Sequence, residues 1–77
     1  MSRKAYVMID VEKGQSGSVA AEISKLPGIV SVDVVFGQHN LIAIIEADDL
    51  DHLAKIVRDK IATADFVFHT QTFPVVH

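Results

Sequence analysis

The 77 residues include 49% apolar and 22% charged side chains, seven Lys/Arg against ten Asp/Glu for a net charge of −3, and no cysteine. A chain this short holds one core and buries only ~60% of the surface its unfolded form exposes, and without cysteine it has no disulfide, thiolate metal site or cysteine nucleophile, so oligomerisation is the expected source of extra stability. No apolar run approaches the ~20 residues of a membrane span, Met1–Lys4 lacks the apolar stretch of a secretory leader, and the basic residues form no stripe, which reads as a cytoplasmic protein without direct nucleic-acid binding.

From Lys4 to Val11, residues Ala5, Val7, Ile9 and Val11 alternate with Tyr6, Met8 and Asp10, the period of a strand. Lys13 to Gly17 is turn chemistry. Ser16 or Ser18 is then placed to cap a short helix whose apolar positions are Val19, Ala20, Ile23 and Leu26, ended by Pro27-Gly28. Ile29 to Phe36 is rich in β-branched residues, with Val30, Val32, Val34 and Phe36 on one face and Ile29, Ser31, Asp33 and Val35 on the other. This second strand, Val34 included, is expected to be buried on both sides. Gly37-Gln38-His39-Asn40 connects it to Leu41–Ala47, a third strand that is apolar on both faces, in a β-hairpin.

Asp48-Asp49 supplies caps for a second helix with Leu50, Leu53, Val57 and Ile61 as its apolar stripe and Lys55, Arg58 and Lys60 toward its end, as the helix dipole favours. Asp65 to Phe73 reads as a fourth strand, with Phe66, Phe68, Thr70 and Thr72 on one face and Val67, His69, Gln71 and Phe73 on the other, until Pro74. The order strand, helix, strand, strand, helix, strand is the α+β, ferredoxin-like βαββαβ pattern, with both helices on one face of an antiparallel sheet. Two helices cover one face only. The apolar opposite face predicts a second copy packed sheet to sheet, a dimeric α+β barrel, with residues 1–77 as a single stand-alone domain.

Pro27-Gly28-Ile29, the Val-rich second strand, Gly37 opening the hairpin, Asp48-Asp49 and Thr70-Gln71-Thr72 together resemble the effector (RAM) domain of the Lrp/AsnC family of transcription regulators, over about Ala5 to Val75. The resemblance implies a module without the family's DNA-binding helix-turn-helix part. It further implies homodimers assembled into rings, commonly octamers or decamers, that bind an amino acid or similar small metabolite between dimers and can act on DNA-binding relatives. The family's hairpin pattern, Gly-x-x-Asp, falls on Gly37, Gln38, His39 and Asn40, and its Thr-x-Thr on Thr70 and Thr72. These six are the expected effector-binding residues. Asn40 stands where the family carries an acid, which implies a weaker or differently selective site, since Asn offers a neutral carbonyl and an amide donor in place of a carboxylate.

Simpler readings stand beside these. Gly and Asn are common in hairpin connections whatever the function, and threonines on a strand are ordinary half-buried β-formers. His39, His52, His69 and His77 form no compact metal-binding spacing, and neither a metal nor a cofactor is expected. Asp10 reads most simply as an edge-exposed charge, His69 as an interface residue. An ACT-like small-molecule module is the nearest alternative. A small dimeric α+β-barrel enzyme of monooxygenase or isomerase type would need a cavity between sheet and helices lined by Tyr6, Asp10, His39 or His69, and the chain shows no activated nucleophile or phosphate loop, so no enzyme is expected.

Overall fold

Along Arg3–Val11, here β1, Ala5, Val7, Ile9 and Val11 are buried while Tyr6 is exposed and Met8 and Asp10 are half-buried, so the alternation in the sequence becomes a covered face and an open one. The computed structural model describes residues 2–76, so His77 lies outside the described residues. After β1 come α1 (Ser16–Ser24), β2 (Ile29–Val34), β3 (Leu41–Ala47), α2 (Leu50–Ile56) prolonged by a π-helical turn over Val57–Ile61, and β4 (Val67–Pro74). All pairings are antiparallel, in the order β2-β3-β1-β4. This is the ferredoxin-like βαββαβ fold expected from the element order.

The core lies between the sheet and the helices. Ala5, Val7, Ile9 and Val11 of β1 and Leu41, Ala43 and Ile45 of β3 meet Val19 and Ile23 of α1 and Leu53, Ile56, Val57 and Ile61 of α2 and its π turn. Residues opposed in register share a face. The outer face of the sheet therefore carries Tyr6, Met8 and Asp10, Ile42 and Ile44, Ser31 and Asp33, and His69, Gln71 and Phe73. Neither helix lies over these residues.

Gly28 joins α1 to the sheet under two constraints. Its φ is +89°, and a Cβ there would meet Glu46 O at 2.9 Å and the Ile56 Cδ1 atom at 3.1 Å. Glu46 N–H also donates to Gly28 O at 2.8 Å, a hydrogen bond that holds the turn close against β3. At the second helix, Asp49 accepts from His52 N–H at 2.8 Å and caps α2, as its position before the apolar stripe predicts.

Five expectations are corrected. Gln15, not a serine, holds the cap position of α1, because the Glu12–Gln15 turn puts the non-helical residue there and both Ser16 and Ser18 fall inside the helix. In the second strand, an irregularity between Ile29 and Ser31 shifts the phase, so Ile29 joins the face of Val32 and Val34. That strand ends at Val34, and because β2 is an edge of the sheet, Val34 is 58% exposed rather than buried, with Val30 and Phe36 exposed as well. Leu50 is exposed while Ile56 takes a place in the apolar stripe of α2. Finally, β4 begins at Val67. Phe66 sits just before it with φ +71°, held by the Glu12 N–H to Phe66 O bond of 2.9 Å, and a shift opposite Asp10/Val11 puts Val67 on the face of Thr70 and Thr72.

Candidate functional site

The connection between β2 and β3 is closed by its backbone: Val35 N–H donates to Asn40 O at 2.9 Å, and Asn40 N–H donates to Ile9 O of β1 at 3.1 Å. Gly37, at φ +139° with open space around it, serves the loop through its backbone freedom. Two side chains then tie the loop to β1. Asn40 Oδ1 accepts Val11 N–H at 2.9 Å, and His39 Nδ1 lies 3.0 Å from Asp10 Oδ1. The β1–β3 register ends at Ile9 opposite Leu41, so the Asn40 side chain satisfies a donor of β1 that has run past the end of its partner strand.

Chemistry sets the direction of the first contact. A backbone N–H only donates, so the atom facing Val11 is the Asn40 oxygen and the amide NH2 is left uncommitted by this bond. In the other contact, it is Nδ1 of the His39 ring that faces the Asp10 carboxylate, at hydrogen-bond distance. The Asp10 side chain is 16% exposed and that of His39 is 28% exposed. The expectation of an edge-exposed Asp10 is thus overturned: β1 is a central strand, and the carboxylate is half-buried against a histidine 29 residues away in sequence.

The structure brings Gly37, Gln38, His39 and Asn40 together at one end of the sheet. Thr70 and Thr72 lie on β4, opposite Ile9 and Val7, and so share the helix-side face, both half-buried. Two inter-strand steps, roughly 10 Å, separate β3 from β4 across β1. His69 opposes Asp10 on the outer face. Within one protomer the six expected residues therefore form two groups rather than one pocket. Two surface clefts, one bordered by α1, Lys60 and Phe66 and the other by Gly28, Glu46, Asp48, His52 and Lys55, include none of the six. Tyr6, Asp10 and His69 lie on the outer face with His39 bound to Asp10, not in a cavity between sheet and helices.

Asp10 and Val11 belong to the loop's surroundings and were not among the expected site residues. The one signal for Asp10 was a lone charge among Tyr6, Met8 and apolar neighbours, a position that calls for a donor once half-buried. Among the described residues, no three His, Asp or Glu side chains gather into a metal-holding cluster, and no helix is long and apolar enough to cross a membrane.

Known proteins share both sequence and fold. Over 68 residues the chain is 29% identical to an uncharacterised HTH-type transcriptional regulator of Pyrococcus abyssi, covering 88% of this chain and 43% of that protein. The chain thus spans less than half the length of this relative. Escherichia coli AsnC superposes with a TM-score of 0.90 at 18% identity, over 97% of this chain and 51% of that one. A Neisseria meningitidis transcriptional regulator solved as a complex with L-Met superposes with a TM-score of 0.85 at 18% identity, over 97% and 50% of the two chains. The model of the Lrp/AsnC ligand binding domain matches residues 4–77, and with the βαββαβ fold in place, the chain belongs to the Lrp/AsnC family as its regulatory ligand-binding (RAM) domain.

Proposed function

We propose that this domain dimerises through its open sheet face, assembles further into a ring, and binds an amino acid or similar small metabolite where protomers of neighbouring dimers meet. The observation that carries the reading is the outer face itself: Tyr6, Met8, Ile42, Ile44 and Phe73 form an apolar patch on three adjacent strands, with no helix of the protomer over it. Patches of this kind are rare on monomers and mark contact surfaces. A second copy is the economical cover, because it also offsets the small core of a 77-residue chain.

The division of the six candidate residues supports a site shared between copies. Gly37–Asn40 and the Thr70/Thr72 pair lie apart in one protomer, so a ligand that touches both groups needs a neighbour to supply one of them. The L-Met complex of the Neisseria regulator supports an amino acid as the type of ligand. Such a ligand acts by linkage: it binds the assembled state better than the separated one and stabilises it by ~2.7 kcal/mol at a hundred times its dissociation constant. Assembly state is the output, passed to DNA-binding relatives by co-assembly in rings of octamer or decamer type.

Native mass spectrometry with and without the twenty amino acids tests this. A ring that gains amino-acid mass is the expected result, and Thr72→Ala should lower the affinity while leaving the fold intact. Ile44→Asp should dissociate the assembly. A folded monomer at micromolar concentration would overturn the reading, and an assembly indifferent to all twenty would remove the amino acids as ligands.

A further inference from the structure

Three of the four phenylalanines stand at one end of the sheet, and all three are exposed. β1 ends at Val11 opposite Val67, and Val34 lies opposite Leu41, so the β2–β3 hairpin with Phe36 and the entry to β4 with Phe66 and Phe68 share that end. Phe36 is 106% exposed and Phe68 69% exposed. Their backbone is held by hydrogen bonds. Val35 N–H donates to Asn40 O beside Phe36, Phe68 lies within β4, and Glu12 N–H donates to Phe66 O, which keeps Phe66 at φ +71°, a conformation bulky residues rarely adopt. A phenylalanine carries about 150–250 Å², so the three present roughly half of the ~800 Å² that one side of a standard interface covers. The same end carries both signs of charge, Glu12 and Asp65 with Lys13, all exposed, so two copies of it can face each other with opposite charges paired.

We propose that this aromatic end docks on the same end of a second copy in a neighbouring dimer, a two-fold contact separate from the open sheet face. The inference rests on the ring of sheet-to-sheet dimers proposed above and locates the contact between them. One isologous contact per protomer stops at a dimer. Two different ones on each protomer join dimers in succession, which closes into a ring when the rotation per dimer divides a full turn. Phe36 is the anchor, because a fully exposed aromatic on a closed loop has the most apolar area to lose to a partner and little backbone freedom to give up.

Sedimentation velocity and native mass spectrometry of the whole chain test this on wild type, Phe36→Ser and the Phe36→Ser, Phe68→Ser double variant. Wild type should be a ring. Phe36→Ser should raise the concentration at which the ring falls to dimers at least about tenfold, and the double variant should stop at a dimer. Circular dichroism should stay that of wild type, since a side chain standing in solvent leaves no cavity behind, and Phe36→Tyr, which keeps the aromatic group, should assemble as wild type does. An intact ring in the double variant overturns the proposal and leaves the ring reading standing. A double variant that falls to a monomer also overturns it, because this end would then build the dimer itself. A wild type that stops at a dimer removes the ring and the proposal together. Should the double variant unfold, Phe36→Ser alone decides.

Discussion

The two faces of one sheet are built from neighbouring residues and meet different fates. Ile45 is fully buried under the helices, while Ile44, the next residue along β3, is only half-covered on the open side. The same holds for Val7 beside Tyr6 and Met8 on β1. Strand geometry alone sends successive side chains to opposite faces, so one apolar run of β3 supplies both a finished core and an unfinished one. The inner face is completed by the chain's own helices. The outer face is left uncovered by those helices, and at one end of it Asp10 lies opposite His69 and meets His39 of the hairpin loop.

Paired substitutions break this comparison at its strongest point. Ile45→Ala should cost about 2–5 kcal/mol in chemical denaturation, since it opens a cavity in a packed core, whereas Ile44→Ala should cost far less per protomer and show its effect in the assembly measured by sedimentation. Equal losses at the two positions, in a monomer, would erase the distinction between the faces. The glycines sharpen the point about close packing on the inner side. Gly28→Ala should lose about 2–4 kcal/mol, the sum of left-handed strain and overlap with Glu46 O and Ile56, while Gly14→Ala, at φ +83° with nothing near its Cβ position, should lose only about 1 kcal/mol.

Smaller effects follow at the rims. Asp49→Ala removes the cap accepted from His52 N–H and should lower the melting temperature by an amount equivalent to about 1 kcal/mol. Val34→Asp is expected to fall within about 0.5 kcal/mol in thermal unfolding, because the side chain stands in solvent on an edge strand. Its position in a β-branched run predicts burial, and a large loss there would mean that a second copy covers β2 as well.

Much of the fold was legible because each element carries its own local signature. Alternation marks β1, a continuous apolar run marks β3, Asp49 announces α2, and Pro27-Gly28 announces the end of the first helical segment. The misread faces have a common cause. A bulge adds one residue to one strand of a pair, and every side chain beyond it changes side, so Ile29 and Val67 fall on faces that strict alternation denies them. Of the candidate site, the loop at Gly37–Asn40 was legible from its turn residues and the family pattern it resembles. Its anchoring was not, because Asn40 to Val11 and His39 to Asp10 are contacts across 29 residues of sequence.

By itself, the sequence determined the number, type and order of the elements, the apolar character of both sheet faces and the position of the hairpin loop, because periodicity, turn chemistry and capping act over a few residues and are written locally. Only the tertiary structure decided that β1 is central and β2 an edge, that Val34 stands in solvent, and that Asp10 is half-buried with His39. It also decided that the Asn40 carbonyl oxygen accepts from Val11 N–H. Those outcomes depend on which distant segments are brought together, and burial, register and hydrogen-bond partners exist only once they are.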